Sequence, residues 1–243
     1  MSNQKADIIA QLKRDILPLQ GFRTSLKAIE LDRALGPITS AFPNSTFPLG
    51  AIHEFISTSS EDSAASSGFL SGIVSNLMVA GRVLIWISSS RTIFPPALKK
   101  FGIDPGRIMF IDLSKEKDVL WAMEESLKCE GLAAVVGEMK ELNFTSSRRL
   151  QLAVEKSRVT GFVLRRNPRS LNTTACVTRW KISALSSGSE DDLPGIGFPR
   201  WNVELLKVRN GVPGKWEVEW RNGNLNHYYK LASIREELRK KTG

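Results

Sequence analysis

The chain has 243 residues, 42% of them hydrophobic and 24% charged, enough for one domain with a substantial core or one domain with appendages. No run approaches the ~20 apolar residues that a membrane-spanning helix requires, and the N-terminus MSNQKADIIAQLKRDIL is too broken by charge for a signal peptide. The composition therefore predicts a cytoplasmic protein that engages no membrane.

Two cysteines far apart in sequence, Cys129 and Cys176, supply neither a disulfide framework nor a zinc site. Two histidines, His53 and His227, leave little for any other metal centre, so no metal is expected. The net charge of +9 is concentrated. Ten cations fall between Lys140 and Ile182, opposed only by Glu141 and Glu155, so eight of the nine net charges sit in one stretch. Such a field suits an anionic partner, nucleic acid or an acidic protein surface, and also a plain solvated face.

In chain order, Ile8, Ile9, Leu12 and Ile16 recur at helical spacing and predict an amphipathic helix over 5–17, stopped by Pro18. A looser, turn-rich segment leads to a first core strand over 51–56. A small-residue loop is expected over 57–68, then a helix over 69–80 closed by Gly81. Apolar strands follow at 83–87, 108–111, 132–136 and 161–164, with helices at 96–101, 118–130 and 146–157 between them. Strands without alternation, separated by helices, predict an α/β fold with a mostly parallel sheet between helices.

Beyond Arg165 the pattern changes. Residues 173–183 alternate like an antiparallel strand, and 186–199 read as a polar, flexible linker. Trp201, Val203 and Leu205, then Trp216, Val218 and Trp220, predict a β-hairpin across a turn at 209–214. Residues 231–241 read as a short basic helix. The implied organisation is an N-terminal helix and docking segment at 1–46, a core at 47–185, the linker at 186–199, and a hairpin with basic tail at 200–243.

A strand, a loop and a helix is the setting of a phosphate-binding loop. A working loop needs glycines for close backbone approach, a lysine for the terminal phosphates and a hydroxyl for magnesium. Residues 57–68 offer one glycine, no lysine and two carboxylates. They predict no bound nucleotide, no cofactor and no catalysis.

These pieces, in this order, resemble the RecA core between Phe47 and Ile182. The whole chain resembles the ImuA family, RecA-fold accessory factors of bacterial error-prone repair. The resemblance rests on the segments 47–55 (FPLGAIHEF), 101–105 (FGIDP), 120–125 (LWAMEE), 133–138 (AAVVGE), 147–153 (SRRLQLA) and 199–201 (PRW). It implies a degenerate P-loop around Ser66, Ser67 and Gly68, with the phosphate-binding lysine of RecA replaced near Ser66 and Ser67 keeping a hydroxyl. The catalytic Glu is replaced near Ser90, and the magnesium-associated Asp near Gly137, followed by Glu138. The resemblance also implies a role in SOS-induced mutagenic translesion synthesis. The implied partners are an ImuB-like Y-family protein, an error-prone polymerase and RecA.

Arg165, Arg166 and Arg169 fall in a loop that RecA-type proteins turn toward single-stranded DNA, and Arg148 and Arg149 lie in the same basic stretch. These five are the candidate contacts to nucleic acid or a partner. Ile8, Ile9, Leu12 and Ile16, with Trp121 off the apolar stripe of its own helix, are the candidate docking residues. His53 is expected to be structural, and Glu138 is the one carboxylate with metal-binding potential. A SulA-like cell-division inhibitor and a DNA-binding RecA paralogue with weak ATPase activity are the competing expectations.

Overall fold

The computed structural model describes residues 11–12, 26–78, 81–188 and 197–227. The strands are β1 (Ile52–Ser57), β2 (Leu84–Ser88), β3 (Ile108–Asp112), β4 (Ala134–Met139), β5 (Thr160–Arg166), β6 (Thr178–Gly188), β7 (Phe198–Val208), β8 (Gly214–Arg221) and β9 (Asn224–His227). They form one sheet in the order β3-β2-β4-β5-β1-β6-β7-β8-β9. Pairing is parallel from β3 to β6 and antiparallel from β6 to β9.

Parallel neighbours need long crossovers. Three are helical: α2 (Ser60–Ser75) joins β1 to β2, α3 (Glu116–Ser126) joins β3 to β4, and α4 (Phe144–Ser157) joins β4 to β5. These helices and α1 (Leu26–Leu35) lie on both faces of the sheet, giving two cores. One holds α1, α2 and the rings of Phe55, Phe69, Trp180, Trp201 and Trp220. The other packs Val119 and Met123 of α3 and Leu150 and Val154 of α4 on Ile52, Val135 and Val163. A strand covered on both faces must be apolar throughout, and β1, β2 and β4 are buried at every position.

Several expectations need correction. Residues 57–68 are not a loop: α2 begins at Ser60. Ser59 caps it by accepting from the Asp62 N–H, and Glu61 and Asp62 place negative charge on its first turn. The serines do not break the helix because they bond within it. Ser63, Ser67 and Ser71 each donate to the carbonyl four residues back.

The turn-rich segment before β1 contains a helix, α1, whose Leu31 and Leu35 enter the core before Gly36 ends it. The strand expected at 173–183 starts at Thr178, and it is parallel to β1 on one side and antiparallel to β7 on the other.

The β7–β8 hairpin forms as expected and continues the main sheet. Asn222 and Gly223, both with positive φ, make a two-residue turn into β9. Gly68 and Gly72 let the hairpin close on α2, because a Cβ at either would meet the rings of Trp201 and Trp220 at 2.9 and 2.8 Å. Of the expected linker, Ser186 to Gly188 and Phe198 to Pro199 are strand. The rest of it, the basic tail and most of the N-terminal helix, including Ile8, Ile9 and Ile16, lie outside the described residues. Leu12 is helical and 53% exposed. Among the described residues, no helix is long and apolar enough to cross a membrane.

Candidate functional site

The C-terminal end of β1 is where a phosphate cradle would stand. Here Thr58 and Ser59 alone separate strand from helix. Ser66 is wholly buried, and its hydroxyl lies 3.0 Å from that of Ser57, the last residue of β1. Ser67 spends its hydroxyl on Ser63. The helix N-terminus, which could have received an anion, is taken by its own side chains. Ser59 accepts from Asp62, and Glu61 is held below the usual carboxylate range by bonds from its own backbone N–H and from Ser59 and Ser60.

The other two carried-over positions are equally altered. Ser90 is exposed after β2. On β4, a Cβ at Gly137 would lie 2.6 Å from the Met123 sulfur, so α3 fills the space an aspartate would need. Glu138 is buried, accepting from Trp86 Nε1 at 2.6 Å and pairing with Arg166 Nη2 at 2.9 Å. Burial raises its pKa against the pull of Arg166. Among the described residues no three His, Cys, Asp or Glu side chains come together as metal ligands.

Beside this junction lies a cavity of about 710 Å³, between the first half of α2, residues 92–101 and the ends of β6 and β7. Phe94, Leu98, Phe101 and Trp201 line it, with Arg166 and Arg200 at its edge. It is an apolar recess rather than a phosphate cradle.

The candidate arginines divide sharply. Arg165 does not reach outward: its side chain is 0% exposed. Its Nη1 meets Glu54 Oε1 at 2.7 Å, its Nε donates to Lys140 O, and its Nη2 donates to Ser170 O. Arg179 Nε meets the other Glu54 oxygen at 2.9 Å, where Thr174 Oγ1 also donates. A buried carboxylate is tolerated only when paired, and Glu54 is shared between two guanidiniums. In the sequence it looks like part of an apolar strand; a lone carboxylate in such a run is the available signal that a buried cation faces it.

Arg166 is tied to Glu138, and Arg149 stands 2.6 Å from Glu124 across α3 and α4, an ion pair without hydrogen-bond alignment. Arg148 faces Glu155 at 3.6 Å on the surface of α4. The side chain of Arg169 is exposed. Trp121 stands 63% exposed on α3.

The structure is that of a RecA-like α/β protein whose phosphate-binding junction has been rebuilt as a capped helix. The fold agrees with a solved RadB recombinase structure, at a TM-score of 0.55 and 12% identity over 82% of this chain and 97% of that one. No protein-family model matches the chain. Protein ImuA of Caulobacter vibrioides, from strain NA1000 / CB15N and again from strain ATCC 19089 / CIP 103742 / CB 15, is 33% identical over 209 residues. That match covers 81% of this chain and 86% of each relative. The chain belongs to the ImuA family.

Proposed function

We propose that this protein is a non-catalytic, cytoplasmic accessory factor in SOS-linked, error-prone translesion DNA repair, acting by binding other proteins. Its partners on this reading are an ImuB-like Y-family protein, an error-prone polymerase and RecA. The observation that carries the reading is the β1–α2 junction, where a helix begins two residues after the strand and serines and carboxylates occupy its N-terminal donors. Phosphate binding needs a loop of free backbone N–H groups, and here the Glu61 and Asp62 N–H groups already meet side-chain oxygens. The resemblance that ties the chain to ImuA supplies the repair context.

The test is affinity purification of the tagged full-length chain from DNA-damaged cells, with bound proteins identified by mass. Recovery of the ImuB-like protein, the polymerase or RecA is expected. Recovery of the division protein FtsZ in their place would contradict the proposal and favour the cell-division reading.

A further inference from the structure

Three cations converge on one short stretch of chain before β6, and a fourth stands beside it. Lys207, near the end of β7, donates from Nζ to Thr174 O at 2.7 Å. Arg209, just past that strand, donates from Nη2 to Ala175 O at 2.9 Å. Arg179, the register partner of Lys207 on β6, donates to Asn172 O. Arg148 on α4 stands beside this stretch, since its neighbour Ser147 accepts from the Ala175 N–H at 2.9 Å.

The neighbouring carboxylates do not balance these charges. Glu54 is buried and held by Arg165 and Arg179. Glu155 lies 3.6 Å from Arg148. Among the described residues, no carboxylate lies within ion-pair distance of Lys207 or Arg209.

Both side chains are half-buried. Burial first, and neighbouring guanidiniums after it, lower their pKa values. An ammonium carries three donors and a guanidinium five, and the carbonyls above use one of each. Neither residue is fully buried, which leaves room for the remaining donors to meet an anion. A tetrahedral oxyanion meets such a set with charge-assisted hydrogen bonds. The cations extend over a helix and two strands, a footprint wider than one small ion and suited to a polyanion.

We infer that Arg148, Arg179, Lys207 and Arg209 form a phosphate-binding site and that the phosphates belong to a nucleic-acid backbone. Arg165, expected in a loop, lies in β5 with its side chain enclosed and is not part of this site, which stands on observations independent of the reading of the β1–α2 junction.

The experiment is fluorescence anisotropy of a labelled 30-nucleotide oligothymidine with the full-length protein, over a series of salt concentrations. Lys207→Gln/Arg209→Gln is expected to weaken binding about tenfold at low salt and to reduce the salt slope by about 1.4, about 0.7 for each phosphate no longer neutralised. Lys115→Gln/Lys117→Gln, which removes the same charge elsewhere, is expected to change it far less. Arg148→Gln alters an exposed side chain and reads the site without touching the 172–175 carbonyls; its expected loss is smaller, with a slope change of about 0.7.

Wild-type affinity and slope in both site variants would overturn the inference, as would an equal loss in the Lys115/Lys117 control. Inorganic phosphate, titrated at constant ionic strength, is the second arm. Its binding in the absence of oligonucleotide binding would overturn the nucleic-acid assignment.

Discussion

Glu54 and His53 sit side by side in β1, facing opposite cores, and are satisfied in opposite ways. Glu54 is paired: Arg165, Arg179 and Thr174 all reach its two oxygens. Removing Arg165 would leave that carboxylate one cation short inside the protein. Arg165→Ala is therefore expected to cost about 3–5 kcal/mol in urea unfolding, the range for breaking a buried pair; a loss below about 1 kcal/mol would mean that the side chain is not enclosed.

His53 is kept neutral instead. Its Nε2 donates to Pro48 O at 2.9 Å, and its Nδ1 accepts from Thr178, whose hydroxyl in turn accepts from Trp180 Nε1. Burial lowers its pKa from 6.5 to about 3. A depressed base binds its proton only in the unfolded chain over that interval, so stability falls as pH drops below about 6.5. Between pH 6.5 and 5 this site alone is expected to cost about 2 kcal/mol. Denaturation of wild type and His53→Gln at both pH values checks it: the wild type should lose that much more than the variant.

At the scale of elements, the central parallel strands are legible in the sequence, whereas α1 and β9 are not, and the start of α2 lies nine residues before the position its pattern suggests. β1, β2, β4 and β5 are buried on both faces, so their apolar runs are readable without knowing their neighbours. The first two turns of α2 carry serines, alanines and two carboxylates, a composition shared by loops and capped helices. Only the cap at Ser59 and the internal serine bonds separate the two, and these depend on geometry. The Asn222-Gly223 pair is a hairpin signal of its own, and it sets the turn into β9.

The family-bearing segments also have local physical explanations. Gly102 takes the left-handed conformation at φ +77°, and Asp104 caps the next turn by accepting from the Gly106 N–H. Met123 fills the space above Gly137. Ser147 Oγ accepts from the Ala175 N–H, docking the crossover to β6 on α4. Much of what makes the family recognisable is thus packing, and the candidate site is less legible than the fold. A guanidinium in a basic run does not disclose whether it points out or in. Arg165 and Arg166, adjacent on one strand, have opposite neighbours because β-strand side chains alternate.

Across the whole molecule, the antiparallel extension changes what the RecA-like sheet encloses. β7 and β8 bring Trp201 and Trp220 onto α2 at Gly68 and Gly72, and Phe101 stacks on the Trp201 indole and packs tilted against that of Trp220. The helix that would carry phosphate contacts in an ATPase is thereby built into an aromatic core, with an apolar cavity along its flank. One end of α2 is capped by its own side chains and its middle is clamped by the hairpin, so opening this junction for a nucleotide would disrupt packing on both sides. The most direct test is calorimetric titration of the purified protein with ATP in the presence of magnesium, beside an assay for released phosphate. The account predicts no saturable heat at millimolar ATP and no turnover; tight, magnesium-dependent uptake weakened by changes at Ser67 and Glu138 would contradict it.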